Sequence, residues 1–475
     1  MGWHLTGCSA NHTRSIMCVI YLCSCYMPAF NLFSGNTALH DAAESGSLNS
    51  MILLIVHGAK MAKDCYGMTP LLAAAVTGHT NVVEFLIRRE ECTKMERIDA
   101  LELLGATYID KKRDLVEGLQ YWKRAMYERM KDPKNIIWKP VTEERKAAYD
   151  YKSEVSSFQE LQQLISDPDD TRMQALLVRE RILGPTHPDT SYYIRYRGAV
   201  YADLGDFDRC IILWMYATDM QQANLDPLNL MTQSSFLSFA ELFSFMYGDC
   251  RNRKPYDINT NDVLAVCTKA VTEVERSIKY LQEGERVKRD YQNFDRLLVI
   301  MMHLLSLVCK HLEKCSEQDG FAIKRQVYRM VQFEPRCEDA KSLLHLSASK
   351  ETSTVGKYPV CRFPSAPVAR LLIEVGASTN AVDQKGNTPL HTAASNPTCN
   401  KEVMRVLLQH KAHLDATNND GKTAEELLRD IMMIDVACPV TYTSLQCLAA
   451  KVIVGHGIEY IGRVSPKLQE FIGWH

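Results

Sequence analysis

Leu445, Ala449 and Ile453 recur at intervals of four within an apolar stretch of helix length, residues 443–454. Residues four apart share one helical face, so this face carries a large, a small and a β-branched side chain in a row. The chemistry open to such a face is recognition. A leucine can fill a partner's pocket while the alanine lets the two backbones approach closely. Val464, Leu468, Phe471 and Ile472 draw a second narrow stripe across residues 465–474. Stripes of this kind also line ordinary core helices, so what precedes them in the chain decides how they are used.

Bond-making chemistry has no comparable signature. The sequence holds no G-x-x-x-x-G-K-[ST] phosphate cradle, no G-x-G-x-x-G, no H-E-x-x-H and no G-x-S-x-G, and a non-catalytic chain is expected. His40 and His391 each follow a leucine near the start of a helical segment, a position for bracing adjacent turns by hydrogen bonds. Tyr192, Tyr193, Tyr196 and Tyr201 have the helical spacing of core aromatics. Arg179, Arg181, Arg195 and Arg197 offer either a basic groove for an acidic peptide or solvated helix faces. Cys8, Cys18, Cys23 and Cys25 lack paired C-x-x-C spacing, so neither metal nor other cofactor is expected.

A formal charge of −2, from 55 Lys plus Arg against 57 Asp plus Glu, creates no field that would gather nucleic acid or an anionic membrane. The 16 cysteines are scattered singly, many in helical segments (Cys210, Cys267, Cys309, Cys315, Cys399, Cys447). Buried thiols in a reducing compartment, cytosol or nucleus, account for that better than a disulfide framework. Residues 15–33 form an apolar, cysteine-rich run unlike anything downstream. It lacks a clear small-residue cleavage site, and Pro28 and Asn31 interrupt it as a membrane span of ~20 residues. Residues 1–34 therefore read as a leader foreign to the fold, and the Asn11 sequon within it matters only in a secreted chain.

Internal repeats supply the elements that must position the tail. Gly35-Asn-Thr-Ala-Leu-His-Asp-Ala-Ala-Glu-Ser-Gly46 and Gly67-Met-Thr-Pro-Leu-Leu-Ala-Ala-Ala-Val-Thr-Gly78 align with Thr37 and Thr69 in register. This is ankyrin grammar: the threonine caps a first helix, paired alanines permit close packing, and a glycine ends the helix left-handed. The same grammar returns at Ser342-Leu-Leu-His-Leu346, Gly386-Asn-Thr-Pro-Leu-His-Thr-Ala-Ala394 and Gly421-Lys-Thr-Ala424. Between the blocks, Gly198, Tyr201, Gly205, Phe207, Trp214 and Ala217 fall where a tetratricopeptide helix pair places its packing residues, and Gly105, Tyr108, Trp122 and Ala125 repeat them more loosely. Leu297 to Val308 is apolar but too short to cross a bilayer, and the basic stretch 251–255 reads as a loop. The expected fold is all-α. It comprises ankyrin repeats over 35–97, tetratricopeptide-like repeats over 98–250, a helical extension over 251–336, a second ankyrin block over 337–430 and the two-helix tail over 437–475.

Beyond fold grammar, several segments resemble the feminization (Fem) ankyrin proteins, nearest to types A or C. They are Gly35 to Asp41, Tyr66 to Leu72, Ala100-Leu-Glu-Leu-Leu-Gly-Ala-Thr107, the long block from Arg179 through His187-Pro-Asp to Asp203, and Leu445-Gln-Cys-Leu-Ala-Ala450. The resemblance runs in order from about Gly35 to His475. It implies a substrate receptor of a cullin-2 RING ubiquitin ligase, with a tail similar to a von Hippel-Lindau box. By that carry-over Leu445, Ala449 and Ile453 contact elongin C, itself held with elongin B, while Val464, Leu468 and Phe471 face cullin-2 and its RING-box protein. Receptors of the family read C-terminal degrons, often ending in arginine, and deliver their bearers for proteasomal degradation. The chain departs from the family pattern twice. Family chains open with more ankyrin repeats, which carry the degron pocket, so an N-terminally truncated receptor is expected. Their cullin box also places proline directly after its opening hydrophobic residue, whereas Ser465 separates Val464 from Pro466 here.

Overall fold

Threonine or serine opens the first helix of each ankyrin element, and the reason is visible in its hydrogen bonds. The computed structural model describes residues 35–140, 145–248, 256–355, 360–396, 401–429 and 442–475. The expected leader with Cys8, Cys18, Cys23 and Cys25, the basic loop at 251–255 and Cys399 lie outside them. Among the described residues all regular elements are helical, apart from the isolated bridges Arg336↔Ser342 and Thr417↔Thr423. The fold is all-α, and its chain divides into two compact units, Met1–Asn224 and Leu225–His475.

The first unit begins with two ankyrin helix pairs, α1 (Ala38–Glu44) with α2 (Leu48–Val56) and α3 (Pro70–Thr77) with α4 (Thr80–Ile87). Thr69 accepts the Leu72 amide at 3.3 Å, and Pro70 takes the first helical position, where a missing N–H leaves nothing unpaired. Ala43, Ala74 and Ala75 are buried completely, as close helix packing requires. His40 does more than brace its own turn. Its Nδ1 accepts the Thr37 amide at 3.2 Å and its Nε2 lies 2.9 Å from the Met68 carbonyl of the next repeat. One imidazole thus ties consecutive repeats together.

α5 (Lys94–Thr107) pairs with α6 (Leu115–Met130); a short α7 (Phe158–Gln163) and α8 (Pro168–Leu183) follow, and α9 (Pro188–Leu204) pairs with α10 (Phe207–Asn224). The two pairs share one device. A Cβ on Gly105 would stand 2.4 Å from Trp122 Cδ1, and one on Gly198 would stand 2.5 Å from Trp214 Cδ1, so only glycine admits either indole. Each indole then donates to the carbonyl three residues before its glycine: Trp122 Nε1 to Glu102 O at 2.9 Å, Trp214 Nε1 to Arg195 O at 2.8 Å.

Arg179, Arg181 and Arg197 form neither a basic groove nor solvated faces. Arg179 and Arg197 are buried. Arg179 stacks over the Tyr193 ring at 3.9 Å and stands 3.5 Å from Asp110, and Arg197 pairs with Asp169. Arg181 reaches Asp99, Glu102 and Glu154. Buried guanidinium is tolerable only against carboxylates, and Arg129 makes two parallel bonds of 2.8 and 2.9 Å to Glu102. Burial works against the Glu102 charge, but Arg129, Lys139 and Arg181 outweigh it and hold the carboxyl down at about 2. The tyrosines divide: Tyr193 and Tyr201 are buried, while Tyr192 is exposed.

The second unit opens with α11 (Leu230–Met246), α12 (Thr260–Gln282), α13 (Lys288–Leu312) and α14 (Glu317–Gln332). α11 packs on α13 within this unit. α13 carries the apolar stretch at Leu297, and no described helix is long and apolar enough to cross a membrane. Ankyrin elements follow: α15 (Leu343–Ala348) with α16 (Ala366–Glu374), α17 (Pro389–Ala394) with α18 (Lys401–Gln409), and α19 (Ala424–Arg429). His345 and His391 repeat the His40 arrangement, reaching the carbonyls of Asn387 at 2.8 Å and Lys422 at 3.2 Å. The tail contributes α20 (Leu445–Gly455) and α21 (Pro466–Gly473), packed on one another.

Candidate functional site

Ser444 starts α20 by accepting the Cys447 amide at 3.1 Å. Gly457, at φ 60°, helps turn the chain back. Ser465 stands before α21 and Pro466 occupies its first position, so the serine that separates Val464 from the proline is the residue at which the helix begins.

The inward side of the tail rests on the turn between α18 and α19. Cys447, Ala450 and Ile472 are buried there. The Thr417 amide donates to the Trp474 carbonyl at 3.0 Å. The Phe471 ring meets the rings of His413 at 5.3 Å and His475 at 4.9 Å. Asp415, almost fully buried, lies 3.5 Å from both His475 Nε2 and Lys451 Nζ. Burial opposes the charge on His475, but the adjoining Asp415 carboxylate outweighs it and lifts the imidazole to about 8. Burial likewise works against the Asp415 charge, and its cationic neighbours reverse the effect and lower its carboxyl. For His413, burial and then His475 push the imidazole down.

The outward side is apolar and without cover among the described residues. Leu445 is 85% exposed, Leu448 50%, Val452 53%, Ile461 73% and Leu468 46%. Val454 and Ile458 bring the exposed large apolar side chains between 445 and 468 to seven. Scattered exposed leucines are ordinary; a run on one helix pair marks an interaction surface.

The positions singled out by spacing divide between the two sides. Leu445 and Ala449 face outward, whereas Ile453 is half-buried at the flank. The cause is geometric, because each step of four residues overshoots a full turn by roughly 40°. Leu448 and Val452 hold the stripe more tightly and escaped the four-residue spacing; an i, i+3, i+7 count would have found them. On α21, Leu468 is outward, Val464 half-buried, and Phe471 is spent mainly on packing against His413, Trp474 and His475. The residues missed altogether, His413, Asp415 and His475, carry no signal in one dimension beyond a single His-x-Asp.

The family model for ankyrin repeats (3 copies) matches residues 7–97 and 359–427. The chain is 53% identical to protein fem-1 homolog C of Homo sapiens over 430 residues, covering 90% of this chain and 68% of that protein. To protein fem-1 homolog A of Danio rerio it is 49% identical over 420 residues, 88% of this chain and 67% of the relative. To fem-1 homolog A of Bos taurus it is 45% identical over 480 residues, 93% and 72% of the two chains. Two ankyrin blocks around a helical middle, together with identity at this level across most of both chains, place this protein in the fem-1 family of ankyrin-repeat proteins.

Proposed function

We propose that the chain is the substrate-recognition subunit of a cullin-2 RING ubiquitin ligase, acting in the cytosol or nucleus. Elongin C, held with elongin B, docks on the outward face of α20 through Leu445 and Ala449, with Ile453 at its flank. Cullin-2 and its RING-box protein face α21 at Val464, Leu468 and the exposed part of Phe471. By the family resemblance its substrates are proteins with C-terminal, arginine-type degrons, delivered for ubiquitination and proteasomal degradation; a chain that binds elongin but has lost the degron pocket is instead a non-catalytic scaffold or competitor. The chain makes no bond itself. Tethering raises the effective concentration of an acceptor lysine near a charged conjugating enzyme.

The observation that carries this reading is the exposure of the α20 stripe, led by Leu445 at 85%. A helix that seats Cys447 and Ala450 inward and still leaves three large aliphatic side chains half or more in solvent has a second face to bury. Capture of purified elongin B–elongin C and cullin-2–RING-box by the full chain tests it. Leu445→Ala is expected to weaken elongin capture by tenfold or more, as loss of an interface anchor worth ~2 kcal/mol would. Leu468→Ala is expected to keep elongin and lose cullin-2. Failure of the unaltered chain to retain elongin ends the proposal, and capture of elongin without cullin-2 makes the protein a competitor or scaffold instead.

A further inference from the structure

Beneath the docking face, four potential metal-binding side chains converge. His413 and Asp415 come from the turn between α18 and α19, Cys447 from the first turn of α20, and His475 from beyond α21. One ligand atom from each, two imidazole nitrogens, a carboxylate oxygen and a sulfur, lies within 4.8 Å of all the others. We propose that these four residues form a structural zinc site that fastens the terminal helix pair to the last ankyrin element.

Geometry is the first argument. Donors ~2.0–2.3 Å from a zinc ion lie ~3.3–3.8 Å from one another at the corners of a tetrahedron. Cys447 Sγ stands 3.4 Å from His413 Nδ1, His475 Nε2 stands 3.5 Å from Asp415 Oδ1, and His413 Nδ1 stands 3.9 Å from the same oxygen. The remaining pairs lie within 4.8 Å, so movements of up to about 1 Å bring all four donors to tetrahedral spacing.

Unsatisfied polarity is the second. The Asp415 side chain is 1% exposed and that of His475 is fully buried. Among the described residues, both Asp415 carboxylate oxygens and His475 Nε2 nevertheless make no hydrogen bond of good geometry, facing one another and Lys451 only as ion-pair partners at 3.5 Å. Buried acceptors in that condition cost free energy unless something binds them. A dication held by one carboxylate oxygen and Nε2 satisfies two of these atoms at once, and Lys451, 3.5 Å from Asp415 Oδ2 and partly in solvent, is left for the other oxygen.

Second neighbours orient the donors as metal sites require. His475 Nδ1 is 3.0 Å from the Phe471 carbonyl, to which it donates, so Nε2 presents its lone pair to the cluster. Ser444 Oγ lies 3.0 Å from Cys447 Sγ, placed to donate to a thiolate. One thiolate, two imidazoles and one carboxylate suit zinc rather than calcium or magnesium, which prefer oxygen alone. Four protein donors leave no open position, which marks a structural rather than a catalytic site. Binding displaces the Cys447 thiol proton and the Nε2 proton of protonated His475 to solvent, and the thiolate and carboxylate then balance the ion's two positive charges.

The site is independent of the docking reading, because its test involves no partner. The full chain, stripped with a chelator and dialysed against zinc, is expected to retain one equivalent whose X-ray absorption shows one sulfur and three nitrogen or oxygen neighbours. Cobalt in its place is expected to give the near-ultraviolet charge-transfer band of a metal–thiolate bond. Cys447→Ser is expected to abolish that band, and Ser444→Ala to weaken affinity by about 10–100-fold. No retained zinc, a shell with no sulfur or with two or more, or a cobalt–thiolate band surviving in folded Cys447→Ser overturns the proposal. The absorption measurement on the unaltered chain decides even where the variants do not fold.

Discussion

The α9–α10 pair and the α20–α21 pair are each two helices joined by a turn, yet they use their apolar residues in opposite ways. In the first, Trp214, Cys210, Ala217 and Ile211 are all buried, and Gly198 gives up its side chain so that the indole fits. In the second, only Cys447, Ala450 and Ile472 are buried, and seven large apolar side chains stay at the surface. Hydrophobic composition alone does not separate structure from recognition. What separates them is whether a complementary surface stands among the described residues: a glycine facing a tryptophan closes a pair, and a stripe with no described element facing it leaves it open.

The largest effect is expected where the complementarity is complete. Trp214→Ala removes a buried indole and its 2.8 Å bond to the Arg195 carbonyl, and should cost ~3–5 kcal/mol in urea unfolding of the full chain. A loss below ~1 kcal/mol would mean that the helix pair holds together for other reasons, and the contrast with the tail would lose its first half.

A comparable but pH-dependent effect is expected from the second unit. His303 Nδ1 accepts the Cys361 amide at 3.1 Å while its Nε2 donates to the Thr352 carbonyl, and His345 Nδ1 accepts the Ser342 amide while its Nε2 donates to Asn387. Both rings must therefore be neutral, and burial pushes each down to about 4. Unfolded, each takes up a proton near its ordinary 6.5, so the unfolded chain binds more protons between those values. Stability is thus fully present above pH 6.5 and falls as pH drops toward 4, by on the order of 3 kcal/mol for each ring. Unfolding free energies that stay flat from pH 7 to pH 4.5 would contradict this, and His345→Gln should flatten part of the slope if the ring is its source.

How much of this could be read from the sequence depends on how local the cause is. The Thr-Pro-Leu-His run at 388–391 encodes a cap, a first helical position and a brace within four residues, and α17 begins at Pro389 accordingly. Gly205, at φ 85°, ends α9 where the glycine alone suggested. Glu102 and Arg129 meet across 27 residues, and nothing in either neighbourhood announces the other; the spacing of Arg179, Arg181 and Arg197 suits a groove or solvent, yet each pairs with a carboxylate. His413, Asp415, Cys447 and His475 converge only after an ankyrin turn and two helices are in place. The tail stripe is intermediate. Its spacing marks a face, but which side turns outward follows from the burial of Cys447 and Ala450 on the other.

The smallest expected effect tests the other half of the comparison. Leu445→Ala trims a side chain that is 85% exposed, so little apolar surface returns to water that was not already there. The unfolding free energy should change by less than ~0.5 kcal/mol, the range of surface substitutions away from special features. Equilibrium urea unfolding of the isolated full chain measures it without any partner. A loss near 2 kcal/mol would show that the leucine is covered by its own chain in solution, and α20 would then belong with α9 and α10 as a closed packing surface. A loss within the small range leaves Leu445 carrying an apolar area that the described residues do not bury, and elongin capture by the same variant then reports how much of that area a partner uses.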